Sequence, residues 1–451
     1  MKKLLLISLG CDKNLVDSEK MLGLLCQEGW QIVEDEAEAD AIVINTCCFI
    51  HDAKEESIET ILEMAEYKKT GRLKALVVTG CLAQRYEEEI GREIPEVDAV
   101  IGTTGFDKIV EILDGIMEAD EKRFVSCCPS IDITTPSMPE KRMTTGGPVA
   151  YLKIAEGCGK RCSYCIIPYL RGRYRSFPEN DLVEEAERLA EQGAKELILV
   201  AQETTLYGVD LYGKKTLPRL LTRLCGVEGI EWIRLLYCYP EEITDDLIAT
   251  IRQEKKICRY LDIPIQHSED HILKAMGRRT SRESLVSLIH KLREEIPDIT
   301  IRTTLIAGFP GETETDHRNM LSFVEEMQFD RLGVFPYSAE EGTPAASMDG
   351  QVPEEVRESR RDAIMELQQD ISAAKNQDRI GGRMPVLIEG YLYEEDIYIG
   401  RTQMDAPGVD GNVFVHSDGE LMSGDIVPVT ITAASEYDLI GDVDYANESA
   451  Q

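Results

Sequence analysis

Cys158, Cys162 and Cys165 stand in the run EGCGKRCSYC, a spacing that suits three corners of one iron-sulfur cube. Such clusters ordinarily take four cysteine ligands. A triad with no fourth cysteine beside it leaves one iron open to a substrate or cofactor, as at open catalytic metal sites. S-adenosylmethionine suits that position, because its amino and carboxylate groups can chelate an iron. An electron passed into its sulfonium would release a 5'-deoxyadenosyl radical, the kind of chemistry that proteins delegate to cofactors. Zinc is the weaker alternative, since a tetrahedral site wants a fourth Cys or His in a short loop and the flanking cysteines are as distant as Cys128 and Cys225. A disulfide is weaker still, because an odd number of neighbouring thiols has no sensible pairing.

A second set is spread along the chain. Cys11, Cys47 and Cys81 each follow directly on an apolar run, after SLG, INT and VTG, at intervals of 36 and 34 residues. Each interval is about one βαβ unit. Parallel strands present their carboxyl ends at one edge of a sheet, where the ligand sites of open α/β folds lie, so these thiols are read as a second three-thiolate cluster. The alternative is that they are buried small apolar side chains, as free cysteines often are. Cys48 adjoins Cys47, but neighbouring residues of an extended segment point to opposite sides. Cys127 and Cys128 lie in a polar, proline-bearing connector and receive no role. Cys26, Cys225, Cys238 and Cys258 fall within helix or strand patterns and read as core residues.

The elements that must position these thiols follow from periodicity. Residues 1–118 alternate four apolar runs, KKLLLISLG, DAIVINT, KALVVTG and VDAVIG, with helical stretches at 17–27, 56–68 and 106–116. That is the rhythm of a parallel sheet covered on both faces. Residues 142–373 repeat it in longer units. VAYLKIAEG runs into the triad, and ELILVAQ, WIRLLYCYP, YLDIPIQH, DITIRTTLIAGFP and DRLGVFPY follow, giving six βα units and a partial (β/α)6 barrel of the TIM type. Chemistry in such barrels lies at the carboxyl ends of the strands, which points to Gln202, Glu203, Gln266, Gly308 and Gly311 as neighbours of S-adenosylmethionine. GFPGET at 308–313 is explained equally well as a strand-to-helix turn with Thr313 as N-cap. His267 reads as a packed, hydrogen-bonded histidine. Residues 353–379 form a charged amphipathic helix leading out of the barrel. Residues 376–443 carry four short alternating runs separated by Gly, Asp and Pro turns, which predicts a small antiparallel β-barrel.

Of the 451 residues 43% are hydrophobic and 29% charged, the composition of an ordinary soluble globular protein. The net charge of -34, with 83 acidic against 49 basic residues, argues against a broad grip on phosphate backbones and for a basic partner. From Ile380 onward there are fourteen acidic residues and two arginines, so stable nucleic-acid binding by the terminal barrel is not expected. The apolar stretch from Leu4 to Leu9 is too short for a signal peptide, and no run approaches a membrane span. A cytoplasmic, reducing location is expected, where thirteen cysteines serve better as metal ligands than as disulfides.

SLGCDKNLVDSE at 8–19, INTCCFI at 44–50, VTGCLAQRY at 78–86, YLKIAEGC at 151–158 and IAGFPGETETD at 306–316 together resemble the radical S-adenosylmethionine methylthiotransferases over nearly the whole chain. Within that family the resemblance is to the RimO branch, which modifies the twelfth small-subunit ribosomal protein. Asp12 stands where that branch usually has proline, and Gly159 where an asparagine or aspartate is common. The resemblance implies a methylthiotransferase domain, a radical barrel and a terminal TRAM barrel. It implies that Cys158, Cys162 and Cys165 hold a radical-generating 4Fe-4S cluster, and Cys11, Cys47 and Cys81 an auxiliary 4Fe-4S cluster. It further implies that a methylthio group is placed on the β-carbon of an aspartate of that basic ribosomal protein, with reductant and sulfur donor unspecified. The alternative branch, MiaB-like, modifies an adenosine of tRNA, and the acidity of the terminal barrel weighs against it. Replacing Cys158, Cys162 and Cys165 together by Ala is expected to remove about half of the iron bound after anaerobic reconstitution. The same change at Cys11, Cys47 and Cys81 should remove the other half, as measured by iron and sulfide assay.

Overall fold

The computed structural model describes residues 2–119, 124–131, 138–144 and 147–445. Met1, which the first expected domain includes, lies outside them. Strands β1 (Lys3–Ser8), β2 (Gln31–Ile32), β3 (Ala41–Thr46), β4 (Ala75–Gly80), β5 (Ala99–Ile101) and β6 (Val125–Cys127) form one sheet in the order β2-β1-β3-β4-β5-β6. All its pairs are parallel. β3 and β4 are buried along their whole length, which is why their sequences are unbroken apolar runs without alternation. The edge strands β2 and β6 have only two and three residues, too few to leave a period in the sequence. β6 carries the sheet past residue 118 and makes Cys127 a strand residue, where a connector was expected. Strand order reverses between β1 and β3, the position at which open α/β sheets bind ligands, and Cys11 and Cys47 follow these two strands.

The helix after β1 spans Asp12–Gln27 and begins directly after Cys11, five residues before the expected start at Asp17. Its first turns bury Lys13, Asn14, Asp17, Ser18, Glu19 and Lys20, a polar buried face that hydrophobic periodicity cannot register.

The second sheet contains β7 (Val149–Lys153), β10 (Glu196–Val200), β11 (Trp232–Leu235), β12 (Ile257–Gln266), β13 (Thr300–Ala307) and β14 (Arg331–Pro336), in the order β14-β13-β12-β11-β10-β7. Every pair is parallel and the sheet is not closed, so it is the partial six-stranded barrel. Its helices, among them Glu179–Glu191, Leu217–Cys225, Asp245–Gln253, Arg282–Glu295 and Glu314–Met327, bury Leu182, Leu220, Ile251, Leu285 and Phe323 in one core with the strands. A short antiparallel pair, β8 (Ala155–Glu156) and β9 (Arg175–Ser176), ties together the two ends of the loop that carries the triad.

The helix Glu354–Gln377 leads to a closed barrel of β15 (Arg383–Leu392), β16 (Ile397–Arg401), β17 (Val413–His416), β18 (Ile426–Ala434) and β19 (Leu439–Val443). Four of its pairs are antiparallel and β17–β19 is parallel. An odd number of strands cannot alternate direction all the way round, so closure demands one such pair. This barrel closes the amino end of the partial barrel. Glu196, the first residue of β10, accepts from Arg234 at 2.6 Å and from Arg401 at 2.7 Å. Tyr260 donates to Asp410 at 2.7 Å. Arg331, the first residue of β14, reaches Asp405 at 2.5 Å. With that end sealed, the carboxyl ends are left for a site. Among the described residues no helix is long and apolar enough to cross a membrane. Glu196→Ala leaves two buried guanidiniums without their shared carboxylate. It is expected to cost about 3–5 kcal/mol, read as a lowered urea midpoint.

Candidate active site at the junction of the two parallel sheets

The triad loop is held by backbone contacts on each side of its cysteines. Cys158 N–H donates to Gly172 O at 3.1 Å, Cys165 N–H to Cys162 O at 3.1 Å, and Ser163 N–H to Met276 O at 2.9 Å. Gly157 has φ +79°, and a Cβ there would lie 2.2 Å from Arg173 O, so the turn into the loop requires glycine. Lys160, between the first two cysteines, reaches Glu241 at 2.7 Å and Glu242 at 3.0 Å beyond the end of β11. Burial pushes the Cys158 thiol up to about 11, and the neighbouring Cys162 adds to the effect. Burial raises Cys165 further, with Cys162 and Cys158 both contributing. The three thiols therefore act on one another at one place.

The other three also meet. Cys11 precedes the helix Asp12–Gln27, Cys47 follows β3, and Cys81 opens the helix Cys81–Arg85 after β4. A Cβ on Gly10, at φ +86°, would stand 2.6 Å from Cys47 Cβ and 2.9 Å from its Sγ, so the backbone leaving β1 lies against Cys47. Burial, then Cys81 and Cys11, push the Cys47 thiol up to about 12. Cys81 is raised by burial although the Arg171 guanidinium opposes it. Cys48 packs in the apolar core of the first sheet. Cys128 lies 4.0 Å from Ala83 O and packs against the same apolar core.

Among the described residues no three or more His, Cys, Asp or Glu side chains are grouped as a single metal ion would require. Cys47, Cys81, Cys158 and Cys165 resist ionisation on their own, and iron is the counter-charge that would stabilise them as thiolates.

A buried ion cluster ties the segments flanking the triad to the first helix. Arg171, at the end of the short helix Ile167–Arg171 that follows Cys165, donates to Asp17 at 2.8 Å and to Glu156 at 3.2 Å, and also to Asn14. Lys153, the last residue of β7, pairs with Asp17 and lies 2.7 Å from Glu156. Burial alone would raise the Glu156 carboxyl, but Lys153 and Arg171 hold it far below the usual range. Arg171 also faces Cys81 and Cys11. Ile166 and Leu170 pack into the core of the first sheet, so the segment after the triad is built into the other domain. None of Asp17, Lys153, Glu156 and Arg171 stood out in the sequence. Their signal was charge on buried strands and helices, which becomes visible only once burial is known.

Gln202 donates to Glu156 at 3.0 Å, and its Oε1 has no partner. Glu203 is fully buried, has an unpartnered Oε2 3.6 Å from Lys160 Nζ, and is pushed up to about 7 by burial. Gln266 ends β12 with φ +73°. Gln202 and Glu203 stand beside the triad loop with polar atoms that lack hydrogen-bond partners, which suits a polar cofactor. Gly308 is explained differently. A Cβ there would meet Arg357 Cγ at 2.2 Å and its Cα at 3.1 Å, so its glycine makes room for the helix Glu354–Gln377. Gly311 N–H donates to Gly350 O at 2.9 Å. Glu312 gathers its own turn, accepting from Gly308 N–H at 2.7 Å and pairing with Arg360 at 2.9 Å. His267 is fully buried, 3.3 Å from Glu312 and accepting from Glu269 N–H at 3.0 Å.

Lys20 is buried in the same junction, with its ammonium unpartnered and 4.7 Å from the Phe177 ring centre. Burial, then Lys153, pull it down from 10.5 to about 7. Between these values the unfolded chain binds a proton that the folded chain does not, so stability rises with pH across the window and the penalty is full below pH 7. Lys20→Met is expected to stabilise the protein by about 2 kcal/mol near pH 6. The gain should shrink toward pH 10.5, measured by urea unfolding at each pH.

Residues 3–102 match the family described as "Uncharacterized protein family UPF0004", residues 152–324 the Radical SAM superfamily and residues 380–443 the TRAM domain. Among solved structures, the radical S-adenosylmethionine methyltransferase TsrM from Kitasatospora setae, with cobalamin and a 4Fe-4S cluster bound, shares the fold. Its TM-score is 0.57 at 17% identity, over 76% of this chain and 74% of that one. The ribosomal protein uS12 methylthiotransferase RimO of Lachnoclostridium phytofermentans is 60% identical over 439 residues, covering 97% of this chain and 99% of its own length. RimO of Clostridioides difficile is 50% identical over 445 residues, covering 99% of each chain. RimO of Acetivibrio thermocellus is 49% identical over 455 residues, covering 100% of each. At that identity over essentially full length, with both cysteine trios on strand ends facing one junction, the chain belongs to the RimO family of radical S-adenosylmethionine enzymes.

Proposed function

We propose that this protein is a methylthiotransferase acting on ribosomal protein uS12, placing a methylthio group on the β-carbon of an aspartate. The observation that carries the reading is that Arg171, on the short helix that follows Cys165, is buried against Asp17 of the first helix and beside Cys81 and Cys11. Cys158, Cys162 and Cys165 would hold one 4Fe-4S cluster with S-adenosylmethionine, and Cys11, Cys47 and Cys81 the other. Bound there, these groups supply a radical able to break an unactivated C–H bond and a sulfur beside it. The chain's own residues do the rest. Lys160, tied to Glu241 and Glu242, fixes the triad loop. Gln202 and Glu203 offer polar atoms toward the cofactor. On this reading the three working units are residues 1–118, extended by β6, then 142–373 and 376–443.

The terminal barrel favours a basic protein over RNA. Its two arginines are engaged internally, Arg401 with Glu196 at 2.7 Å and Arg383 with Asp444 at 3.1 Å. The remaining charge is acidic, which complements a Lys- and Arg-rich partner and repels a phosphate backbone. Such a substrate places the enzyme in the cytoplasm. After anaerobic reconstitution with S-adenosylmethionine, a reductant and sulfide, mass spectrometry of uS12 is expected to show the gain of one methylthio group. A gain on tRNA nucleosides alone would overturn the reading.

A further inference from the structure

Most buried cations at the junction are matched by carboxylates: Lys153 and Arg171 by Asp17 and Glu156, Lys141 by Glu19. Lys13 is different. It is 4% exposed, and its ammonium sits 3.0 Å from the ring centre of Tyr237, with no carboxylate in ion-pair contact among the described residues. Lys20 is the other lysine so placed, but it lies under Phe177 and is driven toward neutrality by burial.

Its position is specific. Lys13 lies two residues from Cys11, in the first turn of the helix Asp12–Gln27, where unpaired backbone amides add positive potential. Tyr237 lies just past the end of β11, with φ +59°, a conformation rarely adopted outside glycine. Three hydrogen bonds hold this segment: Tyr237 N–H to Asp262 Oδ2 at 3.0 Å, Cys238 N–H to Asp262 O at 2.8 Å, and Thr204 N–H to Tyr237 O at 3.1 Å. Two residues on, Tyr239 faces Cys162 and Cys158 and lies 4.3 Å from Lys160 Nζ. The segment 237–239 therefore runs from one cysteine trio to the other, and Lys13 stands over its first residue. Backbone strain held in this way marks functional sites.

We propose that Lys13, backed by Tyr237, receives the side-chain carboxylate of the substrate aspartate between the two trios. This rests on the functional reading above. A carboxylate entering a dry cleft needs a cation already stripped of water, and an ammonium held by an aromatic face meets that need at small cost. The contact sets the side chain by its charged end, leaving the adjacent β-carbon to face the junction. It also discriminates aspartate from asparagine by charge.

The test uses the full-length protein with both clusters loaded, a uS12 peptide carrying the target aspartate, and the same peptide with asparagine. Dissociation constants are measured anaerobically by fluorescence anisotropy. The parent protein is expected to prefer the aspartate peptide by about tenfold or more. Lys13→Met should bind both peptides within about twofold of each other, and Lys13→Arg should keep the preference. Iron and sulfide content verifies that each variant is assembled, and Lys13→Gln gives the same reading if the Met variant is not. An unchanged aspartate preference in a loaded Lys13→Met or Lys13→Gln protein overturns the inference alone, with the parent still modifying uS12. A parent that modifies no uS12 overturns the functional reading and the inference with it.

Discussion

The buried cluster of Asp17, Lys153, Glu156 and Arg171 is the constraint on which the rest of the structure depends. Each member is under 10% exposed, and each comes from a different element: the first helix, the end of β7, β8 and the short helix after the triad. A buried charge without its partner is costly, so these elements can pack in one arrangement only. That arrangement brings the strand ends of one sheet to the strand ends of the other. Because Arg171 also faces Cys81 and Cys11, the cluster that welds the domains together also borders the auxiliary trio.

Each half of the site is otherwise built in the same way. A parallel sheet offers its carboxyl ends, and thiols placed immediately after strands inherit the position of those ends. The triad is local, carried on a loop clamped by β8 and β9, whereas the other trio depends on three crossovers. The C-terminal barrel acts from the opposite side, through Arg401, Asp405 and Asp410. It fills the amino end of the partial barrel with ion pairs and leaves open only the end that bears the chemistry.

Much of the fold was legible because the signals were short-range or periodic. β3, β4 and β10 announce themselves as apolar runs, and the helix Glu314–Met327 by Thr313 as its N-cap. β2 and β6 were not legible, being too short to show a pattern, and β19 was hidden because closing a barrel of five strands is a property of the whole ring. The first helix began early because its buried face is polar. Gly308 has a packing reason that the sequence did not show: the helix Glu354–Gln377 passes close enough to require a glycine there.

The spacing of Cys158, Cys162 and Cys165, and the placement of Cys11, Cys47 and Cys81 after apolar runs, are covalent facts that the sequence alone determined, along with the acidity of the terminal barrel. Which charges are buried together was decided only by the tertiary structure. Lys13, Lys20, Lys153 and Arg171 are indistinguishable in the sequence from solvated surface cations. Their roles arise from desolvation and from partners distant in the chain, such as Tyr237 for Lys13 and Asp17 for Arg171, and both are created by packing.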